Sequence, residues 1–112
     1  MTSCLFCRIA AGTLPARIVH EDDRSVAFAD INPKAPVHVL VIPRDHVATL
    51  NEPADEALLG HLIAVAVRVA RDAGVDGSGY RLVVNTNGDA GQSVFHVHVH
   101  VLGGRPFGWP PG

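Results

Sequence analysis

Three histidines, His96, His98 and His100, occupy every second position between Phe95, Val97, Val99 and Val101. Successive side chains of an extended chain point to opposite faces. The valines therefore face one way and the imidazoles the other, with same-face neighbours roughly 7 Å apart. A helix would scatter these residues round its circumference, so the period-two pattern predicts a strand. A neutral imidazole near pH 7 is both a usable base and a usable nucleophile. With a phosphate held at Gly91 and Ser93, attack by His98 on phosphorus would give a phosphohistidine-type intermediate for water to hydrolyse. The flanking imidazoles and the Ser93 hydroxyl would protonate the leaving group and stabilise the charged oxygens. The same spacing also suits a catalytic zinc, although Asp89 is the only carboxylate near the row to orient such ligands. A purely structural strand would more commonly carry Ser or Thr on its polar face.

Other residues offer chemistry with less direct signals. Cys4 and Cys7 form one C-x2-C pair, which is half a zinc site or two small buried residues. Asp30 ends an apolar run; it either caps the following turn or accepts bonds from a pair of ligand hydroxyls. His38 interrupts the apolar run Val37 to Ile42, where a satisfied core histidine is the ordinary expectation. His46 lies in a loop, and His61 beside a helical stripe receives no role.

The elements that must position these groups follow from periodicity and turn chemistry. Residues 4 to 11 predict a short helix stopped by Gly12. Arg17 to Glu21 and Ser25 to Ala29 predict a hairpin turning at Asp22-Asp23-Arg24. Val37 to Ile42 predicts a central strand ended by Pro43. Apolar residues from Leu58 to Ala73 recur at helical spacing and predict one long helix over about 54 to 73, with Pro53 in its first turn and Gly74 as its stop. Tyr80 to Thr86 predicts a fourth strand, and Asn87 to Gly91 a glycine-rich connection whose N–H groups suit a phosphate. The tail after Gly103 is irregular, yet it carries the only tryptophan, Trp109.

The chain has 112 residues and a net charge of −2, which suits a single domain over 1 to 112. No basic run suggests a nucleic-acid surface, and no apolar stretch is long enough to span a membrane. The first residues lack the basic and apolar regions of a signal peptide. A reducing cytoplasm is therefore expected, where two cysteines act as thiols or metal ligands rather than a disulfide.

His96-x-His98-x-His100, preceded by Gly91-Gln92-Ser93 and followed by Gly103-Gly104-Arg105, resembles the histidine triad (HIT) family. The closing Trp109-Pro110-Pro111-Gly112 and the segments Cys4 to Arg8, Glu21 to Arg24 and Pro33 to Pro43 resemble its nucleotide-binding HINT branch. The resemblance implies an α+β fold: a five-stranded antiparallel sheet with one long helix and a short N-terminal helix. It implies a homodimer whose two sheets join into one. It implies a purine nucleoside phosphoramidase that releases AMP and an amine from adenosine 5'-phosphoramidates without metal in the chemistry. A dinucleoside polyphosphate hydrolase and a nucleotide-binding regulatory dimer are the alternatives. By the motif, His98 would be the nucleophile, with His100 on the phosphate, His38 supporting the charge and Ser93 assisting the leaving group. Asn85, Gly91 and Ser93 would line the phosphate site. Asp30 would take the ribose hydroxyls, Phe6 and Ile31 would flank the purine, and Trp109 would reach the partner subunit's site. Cys4, Cys7, His46 and His96 match a zinc-bearing version of the family, which implies a structural zinc. The histidine row is expected to face solvent, so that His98→Ala leaves the fold intact.

Overall fold

The computed structural model describes residues 3–52 and 55–112. Its elements run α1 (Leu5–Ala10), β1 (Ile18–Glu21), β2 (Ser25–Ala29), β3 (Val37–Pro43), α2 (Glu56–Asp72), β4 (Tyr80–Val83), α3 (Asn87–Ala90) and β5 (Val99–Gly103). The strands form one five-stranded antiparallel sheet in the order β1-β2-β3-β5-β4. This is the α+β arrangement expected from the resemblance. The expected Pro53 start of the long helix lies outside the described residues. Its N-cap is Asp55, whose carboxylate accepts from the Ala57 and Leu58 N–H groups at 2.8 and 3.3 Å.

The two faces of the sheet carry different cores. Alternation puts Ala27, Val39, Val41, Val99 and Val101 on one face, where they meet Leu58, Leu62, Val65, Ala66, Val69 and Ala70 of α2. Val26, Phe28, Leu40 and Ile42 occupy the other face under Phe6 of α1. The helical stripe read from sequence is thus the one that covers the valines, as amphipathic packing requires. The short helix α1 covers the histidine side. It is held by Arg44, which donates to Ala10 O at 2.9 Å, to Asp22 O at 2.7 Å and to Glu21 at 3.2 Å.

The β1–β2 turn is organised by Asp22. One of its oxygens accepts from the N–H groups of Arg24 and Ser25 at 2.8 and 2.9 Å. The other accepts from the Ser25 hydroxyl at 2.9 Å, His20 Nε2 at 2.8 Å and His61 Nε2 at 2.9 Å. His61, which the sequence left without a role, thereby ties α2 to the hairpin. Burial works to raise the Asp22 carboxyl, but the bonds from His20, Arg24, His61 and Ser25 outweigh it and hold the group well below the usual carboxylate range.

Three elements differ from the expectation. The fourth strand stops at Val83 rather than Thr86. The glycine-rich connection forms the single helical turn α3, with Gly91 at φ 84° as its left-handed cap. The histidine segment joins the sheet only from Val99. The last ladder pair is Val41 with Val99. Beyond it, β3 ends at Pro43, which has no N–H to donate. The Val97 N–H instead reaches Val47 O at 2.7 Å in the loop that follows. The facial segregation survives this change: Val97, Val99 and Val101 lie in the α2-side core, while His96 and His98 contact Phe6 on the opposite side.

Candidate active site

Backbone geometry brings His38, His98 and His100 together on the α1 side of the sheet. His38 of β3 and His100 of β5 share a face because Val37 pairs with Gly103 and Leu40 with His100. His38 Nε2 lies 2.9 Å from His100 Nδ1, and the His98 and His100 ring centroids are 4.9 Å apart. The imidazoles do not face open solvent. His98 is only 6 % exposed and His38 only 7 %. Phe6 stands edge-on to His98, centroid to centroid at 5.1 Å. The expected solvent-facing row is therefore a covered one, because α1 packs over it.

The hydrogen bonds assign a proton to each ring. His98 Nδ1 donates to His96 O at 2.8 Å, so its Nε2 carries the lone pair in the neutral ring. The Lys34 N–H donates to His38 Nδ1 at 3.0 Å. His38 then holds its proton on Nε2 and donates it to His100 Nδ1. His100 in turn carries its proton on Nε2. Two adjacent rings are thus set in opposite tautomers, one a base and the other a donor. Burial, followed by the neighbouring His98 and His38, pushes His100 down to about 4, against a smaller upward pull from Asp30. Burial also lowers His38, with Asp30 opposing and Lys34 assisting. Both rings are neutral at pH 7.

Asp30 meets both readings of it. One carboxylate oxygen accepts from the Asn32 N–H at 2.9 Å and caps the turn. The other lies 3.4 Å from His38 Nε2. The ligand atoms of Asp30, His38 and His100 are close enough for a metal. The proton on His38 Nε2 and its bond to His100 favour a proton chain over a metal there.

The second group of ligand-type side chains is Cys4, Cys7, His46 and His96. Cys4 Sγ lies 3.4 Å from His96 Nδ1, and Cys7 Sγ lies 3.3 Å from His46 Nδ1 and 3.5 Å from His96 Nδ1. A tetrahedral zinc with Zn–S of about 2.3 Å and Zn–N of about 2.0 Å places sulfur and nitrogen roughly 3.5 Å apart. His96 Nε2 donates to Pro43 O at 2.8 Å, which leaves Nδ1 unprotonated and aimed at the sulfurs. The donor set, the spacing and the tautomer all fit a metal.

The remaining expected residues are less concentrated. Ser93 and Gly91 are exposed on the segment leading to His98. The expected phosphate-holding N–H groups are partly used elsewhere: Gly91 N bonds Gly88 O at 3.0 Å and Gln92 N bonds Asn87 O at 3.1 Å. Asn85 is half-buried just after β4. Phe6 adjoins His98, but Ile31 is 97 % exposed beside Asp30, and Trp109 is 84 % exposed in the tail. Within one chain neither Ile31 nor Trp109 joins the histidine cluster. In the sequence Gln92 marks only the lead-in to the histidine row. It is buried and binds Asn87 N, Ala48 O and Val94 O at 2.8 to 3.1 Å, fixing the loop before His96. No periodicity marks such a staple; only its place before the histidines draws attention to it. A cleft of about 430 Å3 is lined by Asp30 and His38, by Val69 and Asp72 of α2 and by the helix's C-cap Ala73, and does not include His98.

The sequence model of the HIT domain matches residues 11–107. The chain belongs to the HIT family. Its HIT relatives include an uncharacterized HIT-like protein of Synechocystis sp., 53 % identical over 110 residues and 96 % of each chain. The crystal structure of a HIT family hydrolase from Legionella pneumophila superposes with a TM-score of 0.95 at 48 % identity, covering 98 % of this chain and 100 % of that one. A histidine triad nucleotide-binding protein of Candida albicans gives 0.85 at 32 % identity, covering 96 % and 83 %. The HIT fold therefore extends over nearly the whole chain. None of the described helices is long and apolar enough to cross a membrane.

Proposed function

We propose that the protein is a purine nucleoside phosphoramidase that hydrolyses adenosine 5'-phosphoramidates to AMP and an amine. The observation that carries this reading is the pair of opposite tautomers at His98 and His100. His98 Nε2 attacks phosphorus while the P–N bond to the amine breaks. The amine leaves with a proton, for which the Ser93 hydroxyl is the proposed donor. His100 Nε2–H bonds a phosphoryl oxygen as charge develops there. Water then attacks phosphorus and gives up a proton that returns to the Ser93 oxygen, the P–Nε2 bond breaks with its electron pair going back to Nε2, and AMP, neutral His98 and the Ser93 hydroxyl are restored. Because His98 Nδ1 keeps its bond to His96 O, the positive charge on the phosphorylated ring is met by a carbonyl dipole. His38 supports His100 through the proton chain, and Asp30 places a carboxylate oxygen 3.4 Å from the His38 Nε2 that makes that bond.

For the ligand, Asp30 is the proposed acceptor of the ribose hydroxyls, with Phe6 and Ile31 beside the purine. Asn85, Gly91 and Ser93 are proposed to line the phosphate. Ile31 stands ready on the surface for such a contact, and its 97 % exposure is itself unusual for a large apolar side chain. A homodimer is proposed as the working form. The sheet has two open edges, β1 and β4, along which a second copy can add strands, and Trp109 projects from the tail.

Cys4, Cys7, His46 and His96 would hold a zinc ion in a closed Cys2His2 set. Such an ion supplies a structural cross-link with no open position for substrate. The family hydrolysis then proceeds without metal at the phosphorus.

The test is AMP release from an adenosine 5'-phosphoramidate by the wild type and by His98→Ala, with circular dichroism of both. Turnover by the wild type and none by a folded variant is expected. Equal turnover by the two would overturn the assignment. Sedimentation is expected to give a dimer, and a monomer at micromolar concentration would refute that part.

A further inference from the structure

His96 is the one member of the histidine row whose ring has no part in the proposed chemistry. It is nevertheless completely buried. Its imidazole is held at both nitrogens: Nε2 donates to Pro43 O at 2.8 Å, and Nδ1 faces the sulfurs of Cys4 and Cys7 at 3.4 and 3.5 Å. Its carbonyl oxygen accepts the Nδ1–H of His98 at 2.8 Å. One residue thus touches the ligand cluster with its side chain and the nucleophile with its main chain.

The segment around it lacks the usual support of a strand. The β5 ladder begins at Val99, and the bond from Val97 N to Val47 O runs to a loop. The His96 carbonyl shares its peptide plane with the Val97 N–H, so its orientation is set by that bond to Val47, the residue after the ligand His46, together with the anchoring of the His96 ring, rather than by sheet register. A second contact runs in parallel. Cys4 is the N-cap of α1 and Cys7 lies within that helix; Phe6, between them, covers the rings of His98 and His96 at 5.1 and 6.0 Å.

We propose that His96 is a positioning residue: metal occupancy of the Cys4–Cys7–His46–His96 cluster sets the tautomer and aim of His98. This rests on the phosphoramidase reading only for the identity of the step that would be slowed. With the cluster occupied, the His96 carbonyl keeps the proton of His98 on Nδ1 and the lone pair on Nε2. With the cluster empty, the His96 ring and α1 lose their common anchor, and His98 samples both tautomers and more than one orientation. Misaiming a nucleophile by about 1 Å is enough to cost on the order of 100-fold in rate, and disturbing the groups that orient a site costs on the order of 10- to 100-fold.

The experiment compares the zinc-loaded protein, the same protein stripped by a chelator, the stripped protein with zinc restored, and Cys4→Ser with Cys7→Ser. Three quantities are read: the long-range 15N–1H spectrum of the His98 ring, AMP affinity, and kcat and KM on an adenosine 5'-phosphoramidate. On stripping, circular dichroism is expected to be retained and AMP affinity to change less than about threefold. The Nδ1–H signature of His98 should give way to a mixture, and kcat should fall by about 10-fold or more. Zinc should restore the stripped wild type and not the double variant. An unchanged His98 tautomer on stripping would overturn the proposal. So would failure of the protein to take up zinc, or global unfolding on stripping, since the coupling would then not be local to His98. The spectrum separates the two claims: a tautomer that follows zinc without any phosphoramidate turnover sustains the positioning role and rejects the substrate reading.

Discussion

Replacing Asp22 by Asn should destabilise the protein by about 2–4 kcal/mol without touching the histidine cluster. The carboxylate accepts five bonds, from two N–H groups, one hydroxyl and two imidazoles. An asparagine can keep the two N–H bonds on its carbonyl oxygen. Its amide nitrogen, however, is a donor facing the Ser25 hydroxyl, His20 and His61, and Ser25 is fully buried. Bonds to a charged group are worth about 1.5–3 kcal/mol each when removed. The carboxylate is 27 % exposed, so solvent screening brings the sum of the two imidazole bonds toward the lower end. At this chain length the loss corresponds to a fall of roughly 8–16 °C in melting temperature. The pH dependence supplies the sharper test. The folded Asp22 carboxyl lies below its ordinary value. Its contribution is therefore complete above the unfolded carboxylate's titration at about 3.9 and is lost as pH falls through the depressed folded value. Melting curves of wild type and Asp22→Asn from pH 7 down to pH 3 should show a constant gap that begins to close below about pH 4. No gap at pH 7, or one that widens in acid, would refute the reasoning.

Three further stability tests are independent of that hub. His100, pushed down to about 4, stays neutral while its unfolded counterpart protonates near about 6.5. The unfolded state then binds more protons between these values, so stability must fall as pH drops from about 6.5 toward 4. Thermal melts should show a shallower slope over this range in His100→Asn than in the wild type, and equal slopes would count against a buried neutral His100. Gly103→Ala should lose about 1–3 kcal/mol in urea unfolding, because a Cβ there would meet Val75 Cβ and Cγ2 at 2.9 Å. An unchanged midpoint would show that Val75 moves aside freely. Chelation of the zinc-loaded protein should lower its melting temperature, and no change would remove the cross-linking role given to Cys4 and Cys7.

Much of this architecture is legible in the sequence, because alternation and helical spacing are local. Val97, Val99 and Val101 part from the imidazoles as period two requires, and α2 carries the stripe that covers them. The end of the β5 ladder is not local. It depends on Pro43 in β3, which can offer no N–H where the register would set it opposite Val97. The Asp22 hub is likewise hidden, since it joins His20 on β1 to His61 on α2, and neither histidine has a motif. Cys4 and Cys7 announce half a ligand set by spacing, whereas His46 and His96 enter only through resemblance to HIT proteins; the structure brings all four within reach. The cover that Phe6 places over His98 is not legible in the sequence, because a six-residue helix gives little sign of which surface it will occupy. That burial is why His98→Ala must be checked for folding before its activity is interpreted.

The central claim is that His98 Nε2 forms the covalent bond to phosphorus. It is tested most directly by mixing the protein with excess adenosine 5'-phosphoramidate, quenching within the first turnovers, and mapping the adduct by peptide mass spectrometry. An AMP group on the peptide containing His98, absent from His98→Ala and gone after the substrate is exhausted, is the predicted result. AMP release at full rate with no adduct at any quench time, or an adduct on His96 or His100, would contradict the account.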